Sequence, residues 1–306
     1  MLTYLKRIKK NTPFKEVGAA EKDVWIHAVD LSETDISELV QKRGLDEALL
    51  RDAQDLFEVP RVEYEEGITY FFSRYPIHDG LEDTTAPILI ALKDGFVLTV
   101  VHNEPAFLTQ LRNSTNDVLT TNETHFFISV MRAVEISYSR ALTSVRKEVH
   151  RARVKINNIT NREIERFVGL EGVVNDFTAA LIPTSTALQS VLSGKWLRLG
   201  EDDKETVEDL VIATQQTVES AKSVGRTITN IRSAYSIILS NRLNTIVEVL
   251  TGMTVILTIP MVIASLYGMN VPLPFQESPA TFVFIVVFII LCMSGMWYAI
   301  KRDKLF

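Results

Sequence analysis

The chain has 306 residues, 46% of them hydrophobic, with a mean hydropathy of +0.12 and a formal net charge of −6. That length suffices for two folding units, that hydropathy is high for a soluble chain, and an acidic balance excludes nucleic acid as a partner. A single cysteine, Cys292, excludes an intrachain disulfide and any cysteine-based zinc cluster.

Residues 1–16, "MLTYLKRIKKNTPFKE", are basic and are followed by no apolar stretch, so no cleaved signal peptide is expected. "VWIHAVD" at 24–30 is strand-like, and "DISELVQKRG" and "LDEALLRDAQDLF" read as helices. "RVEYEEGITYFFSRYPI" predicts two strands about Glu66-Gly67, and "APILIALKDGFVLTVVHN" predicts a hairpin turning at Asp94-Gly95. Residues 1–122 are therefore expected to form a cytoplasmic α+β domain, a mixed sheet flanked by helices.

Over 123–200 the strand pattern gives way to two stretches with apolar residues at helical spacing, a helical pair closed by a turn over 196–200. "EDDKE" from Glu201 then supplies the acidic first turn that a helix N-terminus favours. Val207, Leu210, Thr214, Thr217, Ala221, Val224, Ile228, Ile231, Tyr235 and Ile238 fall alternately three and four apart, a heptad seam. Such a seam packs either on its own domain or against copies of itself. The bundle of copies is the expectation here, because the seam runs on into an apolar stretch that needs partners of its own. A helix from Glu201 to Leu266 would be about 100 Å long at about 1.5 Å per residue, with a cytoplasmic stalk over 201–248 and at most a kink at Pro260.

From Leu243 to Ile300 there is no Lys or Arg, whereas Arg242 stands just before and Lys301, Arg302 and Lys304 just after. Val249–Leu266 gives 18 residues without a charge and Phe282–Ile300 gives 19, against about 20 needed to cross the hydrocarbon core. Two transmembrane helices are expected, 249–267 and 282–300, joined by an outer loop at 268–281 and followed by a basic tail at 301–306. The bias of basic residues toward the inner side puts both termini in the cytoplasm, in a multi-pass protein of the cell membrane surrounded by the lipid bilayer. The tail's +2 and the −2 of Glu248 with Glu277 cancel, leaving −6 on residues 1–245. Glu277 is the one charge of the loop, and an oligomer would multiply it into an outer acidic ring.

"NRLNTIVEVLTGMTVILTIPMVIASLYGMN", followed by a short loop, one more span and a basic tail, resembles the CorA family of magnesium transporters. The resemblance extends along the whole chain: "VWIHAVD" is similar to the family's early Trp-containing strand, "RDAQDLFEVPRVEYEEGITYFF" to its region of paired acids and aromatics, and "PTSTALQSVL" to its Pro-Leu-Arg-Glu-Val-Leu helix. The Tyr-Gly-Met-Asn string closing the first span is the most specific part; "VPRVEY" lacks the family's Lys, and "VPLPFQESP" replaces its usual Met-Pro-Glu.

The resemblance implies a homopentameric funnel whose five long stalk helices enter an all-α membrane part and line one pore, with the second span as an outer ring. It implies a selectivity filter of Gly268, Met269 and Asn270 and a polar pore ring at Asn244. It also implies a regulatory Mg2+ site in which Asp209 and Asp79 match the family's carboxylates, while Ser233 stands where another stalk acid can occur. By themselves, Asp209 reads as solvation near a helix N-terminus, Asp79 as a turn residue and Asn244 as a helix-surface amide.

Mg2+ surrenders its hydration shell reluctantly, so a pore can select it through the metal-bound waters. The amide oxygen of Asn270 accepts from such water without a fixed charge that would trap the ion, and Gly268 permits a backbone turn that frees carbonyls at the mouth. Asn270 alone also suits a helix C-cap. Helical spacing places Asn244, Val247, Leu250, Thr254, Thr258, Met261 and Ser265 near one face. The threonine hydroxyls there can meet hydrated ions or back-bond to helix carbonyls, and Val247 with Leu250 would form an apolar collar that closes by dewetting.

The expected function is Mg2+ influx driven by membrane potential and gated by cytoplasmic Mg2+, with Co2+, Ni2+ or Zn2+ as alternative divalent cations carried. A two-span signalling protein is the reading from another class; the outer loop of about ten residues and the lack of a kinase or cyclase motif speak against it. The histidines at 27, 78, 102, 125 and 150 show no metal-ligand spacing, and no Gly-x-Ser-x-Gly or Gly-x-Gly-x-x-Gly occurs, so no enzyme is expected.

Overall fold

The structure is a computed structural model that describes residues 1–79, 82–114, 118–154, 160–271 and 279–302, the side chains of Asp79, Glu82, Ala152, Asn161, Pro279 and residues 300–302 excepted. Its contacts divide the chain into two units, Met1–Arg232 and Ser233–Phe306.

In the first unit β1 (Leu2–Lys6), β2 (Lys15–Glu16), β3 (Val24–Val29), β4 (Arg61–Glu65), β5 (Ile68–Asp79), β6 (Glu82–Lys93) and β7 (Phe96–Val101) form a mixed sheet in the order β2-β1-β3-β7-β6-β5-β4. β3 and β7 run parallel and every other neighbouring pair antiparallel. Both hairpins expected from the sequence are present. Between β4 and β5, Glu66 (φ 50°) and Gly67 (φ 80°) are both left-handed, the two-residue turn whose twist matches that of the strands it joins. The edge strand β2 and its neighbour β1 lie in the basic lead, where Leu5 is buried; five residues of weak alternation are too few for periodicity to reveal.

Helices cover both faces of the sheet. On one, Ile36 and Leu39 of α1 (Glu33–Arg43) and Leu50 of α2 (Glu47–Asp52) join a core with Ile26, Tyr70 and Leu98. α1 is held by a capping box between Ser32 and Asp35 and ends at left-handed Gly44. A short α3 (Ala106–Asn113) precedes α4 (Glu123–Val154) and α5 (Asn161–Leu192). On the opposite face Trp25 and Phe71 lie 5.2 and 4.9 Å, centroid to centroid, from Phe126 and Phe127 of α4.

The seam of α6 (Glu201–Tyr267) departs from expectation. Val207, Leu210, Thr214, Thr217, Ala221, Val224, Ile228 and Ile231 are all buried within a single chain. Thr217 donates to Glu135 of α4 at 2.9 Å, Thr229 donates to Glu171 of α5 at 3.3 Å, and a Cβ on Gly225 would stand 3.5 Å from Val174 Cγ1. The helix's own domain covers this stripe, and copies of the chain are not needed for it. A heptad pattern specifies that an apolar stripe must be covered, not by what; here residues of α4 and α5 pack on it.

The second unit holds the rest of α6 and α7 (Pro279–Arg302). α6 stays helical through Pro260. Both helices contain stretches long and apolar enough to cross a membrane, and only 6% and 0% of those stretches are buried within the chain, which sets them apart from core helices of a soluble fold.

Candidate functional site

Asn244, Val247, Leu250, Thr254, Thr258, Met261 and Ser265 all lie on the continuous helix α6 and all are exposed in a single chain, Val247, Leu250 and Met261 each by 60% or more. At roughly 100° per residue they occupy a sector of about 120°. Buried Gly252 and half-buried Ile256, Ile259, Pro260 and Ile263 form the opposite face, so burial leaves the stripe on the open side, and its chemistry singles it out. Of the side chains with hydroxyl or amide groups between Leu243 and Tyr267, the stripe and its margin at Thr251 hold all but Thr245. Thr254 donates its hydroxyl to the Leu250 carbonyl at 2.8 Å, and Thr258 does the same to Thr254, also at 2.8 Å. The back-bonded arrangement is therefore the one adopted, and it leaves each hydroxyl oxygen with its lone pairs directed away from the helix carbonyl.

α6 ends at Tyr267. The Gly268 N–H still bonds the Ala264 carbonyl at 2.9 Å, and the Met269 N–H bonds that of Leu266 at 3.3 Å, so the last turn tightens before the chain departs. Gly268 is not among the residues of positive φ, and neither is Asn270. The left-handed cap that Asn270 by itself also suits is thus not what ends the helix. Space there is tight: a Cβ on Gly268 would sit 3.3 Å from the Ala264 carbonyl oxygen, closer than most side chains approach. Gly268, Met269 and Asn270 are all exposed, with Asn270 the next residue after the last backbone bond of the turn.

Asp209 lies on the exposed side of α6, between buried Val207 and Leu210, and makes no hydrogen bond or ion pair among the described residues. Asp79 ends β5 with its backbone opposite Glu82, but its side chain is outside the described residues, as is the whole of Glu277. Whether the two aspartates meet is therefore not part of the described geometry. No group of three or more His, Cys, Asp or Glu able to hold a metal occurs among the described residues.

A buried histidine paired with a partly exposed carboxylate carried no signal in the sequence. His27 on β3 places Nδ1 2.9 Å from Thr99 Oγ1, which also accepts from Trp25 Nε1 at 2.8 Å, and its Nε2 meets Glu104. Burial pushes the Glu104 carboxyl up, but the bond and charge from His27, with help from Thr109 and Arg112, outweigh it and hold the carboxyl below its ordinary value. A single histidine on a strand carries no spacing signal, so only the fold could reveal the pair.

Residues 21–302 match the family model described as CorA-like Mg2+ transporter protein. A cobalt/magnesium transport protein CorA of Methanocaldococcus jannaschii is 25% identical over 289 residues, covering 92% of this chain and 90% of its own. Among solved structures, the complete CorA magnesium transporter of the same organism superimposes with a TM-score of 0.87 at 21% identity, over 99% of this chain and 98% of that one. The full-length CmaX protein does so with a TM-score of 0.74 at 14% identity, over 99% and 97%.

Proposed function

Because the chain belongs to the CorA-like Mg2+ transporter family, we propose that it carries divalent cations, Mg2+ foremost, across the cell membrane as a homopentamer whose axis is lined by the polar stripe of α6. The observation that carries this reading is the stripe itself: Asn244, Thr254, Thr258 and Ser265 on one side of a helix otherwise walled by exposed aliphatic side chains, ending at the open Gly268-Met269-Asn270 turn. Five Asn270 amides make a ring of oxygens that accept hydrogen bonds from metal-bound water, so the ion keeps its shell and pays no dehydration penalty.

The threonines serve the same end through their back-bonding. Metal-bound water is a hydrogen-bond donor, and a hydroxyl whose own proton is given to a helix carbonyl offers that water an acceptor. Val247 and Leu250 supply the apolar collar at which the conduit closes by dewetting. Asp209 and Asp79 bind the regulatory Mg2+ that holds the closed state, and Glu277 forms the outer acidic ring. The spans are 249–267 and 282–300, and the basic residues beyond their ends put both termini in the cytoplasm. An inside-negative potential of 100 mV is worth roughly 4.6 kcal/mol to a doubly charged ion, at about 2.3 kcal/mol per charge, so influx needs no nucleotide. Co2+ is the second ion carried, supported by the name of the M. jannaschii relative; Ni2+ and Zn2+ belong to the same class of hydrated divalent cation.

Purified full-length protein in liposomes loaded with a Mg2+-sensitive dye tests the reading. Potential-driven Mg2+ entry is expected, with Asn270→Ala abolishing it while leaving the oligomer intact, and parallel assays with Co2+, Ni2+ and Zn2+ rank the ions. A monomer in lipid, or undiminished flux through Asn270→Ala, overturns it.

A further inference from the structure

The last turns of α4 and the first turns of α5, held together by Arg166 and Glu148, form a basic end that the conduit described above does not use. Between Arg146 and Arg166 the sequence holds seven Lys or Arg against three Glu, in a chain whose net charge is −6. Lys147, Arg151, Arg153 and Arg162 are exposed, and none of them has a hydrogen-bond or ion-pair partner among the described residues. Two of the three acids are already engaged: Glu148 pairs with Arg166, and Glu163 closes a capping box on Thr160. Val154, an aliphatic side chain 74% exposed, sits among these cations.

The packing of the first unit sets the direction of this end. Gly225 of α6 meets Val174 of α5, and further along α6 Thr229 and Arg232 meet Glu171, so α5 runs antiparallel to α6. Its first ten residues, 161–170, therefore extend about 15 Å past the Arg232 contact at about 1.5 Å per residue. α4 runs toward the same end, reaching Thr217 from Glu135 and Ser220 from Arg146. The ends of α4 and α5 thus lie toward the Arg232 end of this unit's part of α6, and along the sequence the first uncharged stretch opens at Val249.

We infer that the basic α4–α5 end is a docking surface for anionic lipid headgroups of the cytoplasmic leaflet. Arg151, Arg153, Arg162 and Lys147 engage phosphate oxygens, to which the guanidinium fork is suited, and Val154 enters the interface beside them. A negatively charged leaflet attracts such clusters within a Debye length, and an apolar side chain adds to the attraction. The inference rests on the membrane reading above, and is independent of which cation crosses.

The test uses full-length protein carrying Cys292→Ser and Val154→Cys, labelled at residue 154 with an environment-sensitive fluorophore. It is placed in nanodiscs of phosphatidylcholine, with or without phosphatidylglycerol, each doped with a lipid bearing a headgroup quencher. Strong quenching is expected in the anionic discs, weakening at high salt, retained in Arg151→Lys/Arg153→Lys/Arg162→Lys, and lost to the phosphatidylcholine level in Arg151→Glu/Arg153→Glu/Arg162→Glu. Equal quenching in both lipids, quenching that survives charge reversal, or full reversal by millimolar inorganic phosphate at constant ionic strength overturns the assignment. Disc incorporation and Mg2+ flux are measured on the same preparations, so a failure of transport is distinguished from a failure of docking.

Discussion

Thr217 on α6 donates its hydroxyl to a carboxylate oxygen of Glu135 on α4 at 2.9 Å, from a position only 7% exposed. Its neighbour on the seam, Thr214, gives its own proton to the Leu210 carbonyl at 2.8 Å. Both polar members of an otherwise apolar stripe are satisfied inside one chain, so this stretch of α6 is a domain helix first. Ile228 is fully buried on the same stripe. Ile228→Ala is expected to cost about 2–5 kcal/mol of stability through lost transfer energy and a residual cavity. Unfolding of the detergent-solubilised chain reads the loss, with the oligomer's size by light scattering unchanged; dissociation without loss of stability would mean that the seam packs between copies.

Thr254 separates two roles for its hydroxyl. Thr254→Val keeps the shape and removes the acceptor, while Thr254→Ser keeps both proton and lone pairs. If each ion's water gains about 1 kcal/mol from that oxygen, flux in liposomes falls roughly fivefold or more in the valine variant and stays near wild type in the serine variant. Equal flux through all three assigns the hydroxyl to helix back-bonding alone.

Leu250 is 64% exposed in the single chain and stands on the polar stripe beside Val247, also exposed. An apolar ring closes a conduit by making water unwelcome, so Leu250→Asn is expected to raise leak on the order of tenfold, equivalent to about 1.4 kcal/mol. Mg2+ entry measured with high Mg2+ on the cytoplasmic side, the condition that favours closure, provides the reading. A variant no leakier than wild type removes Leu250 from the gate.

His27 and Glu104 predict an acid limb in stability. A carboxyl held below its ordinary value of 4.5 contributes stability that is present above that value and disappears as pH falls through the lower folded value. Thermal melts should show wild type steeper in its acid loss than Glu104→Gln, and the variant less stable at pH 7. Parallel curves for the two proteins would remove Glu104 from the acid limb.

Local signals were legible in the chain. Glu66-Gly67 and Asp94-Gly95 announce their hairpins because a two-residue turn is chosen by its own residues. β1 was not legible: its claim to strand structure is its pairing with β3, more than twenty residues away, together with the burial of Leu5. At the end of α6 the sequence marks Gly268 and Asn270 as special, whereas the tight space at Gly268, where a Cβ would stand 3.3 Å from the Ala264 carbonyl oxygen, is a distance that only coordinates contain.

Composition and period belong to the chain itself. They determine that residues 249–267 and 282–300 are long and apolar enough to span a membrane, that one helical face gathers amides and hydroxyls, and that a Tyr-Gly-Met-Asn string closes it. What covers a stripe is non-local, and the tertiary structure decided it: α4 and α5 meet the seam side of α6 from Thr217 to Arg232. A periodic apolar pattern lowers the free energy of any dry contact alike, so the choice falls to whichever surfaces the rest of the fold brings within reach.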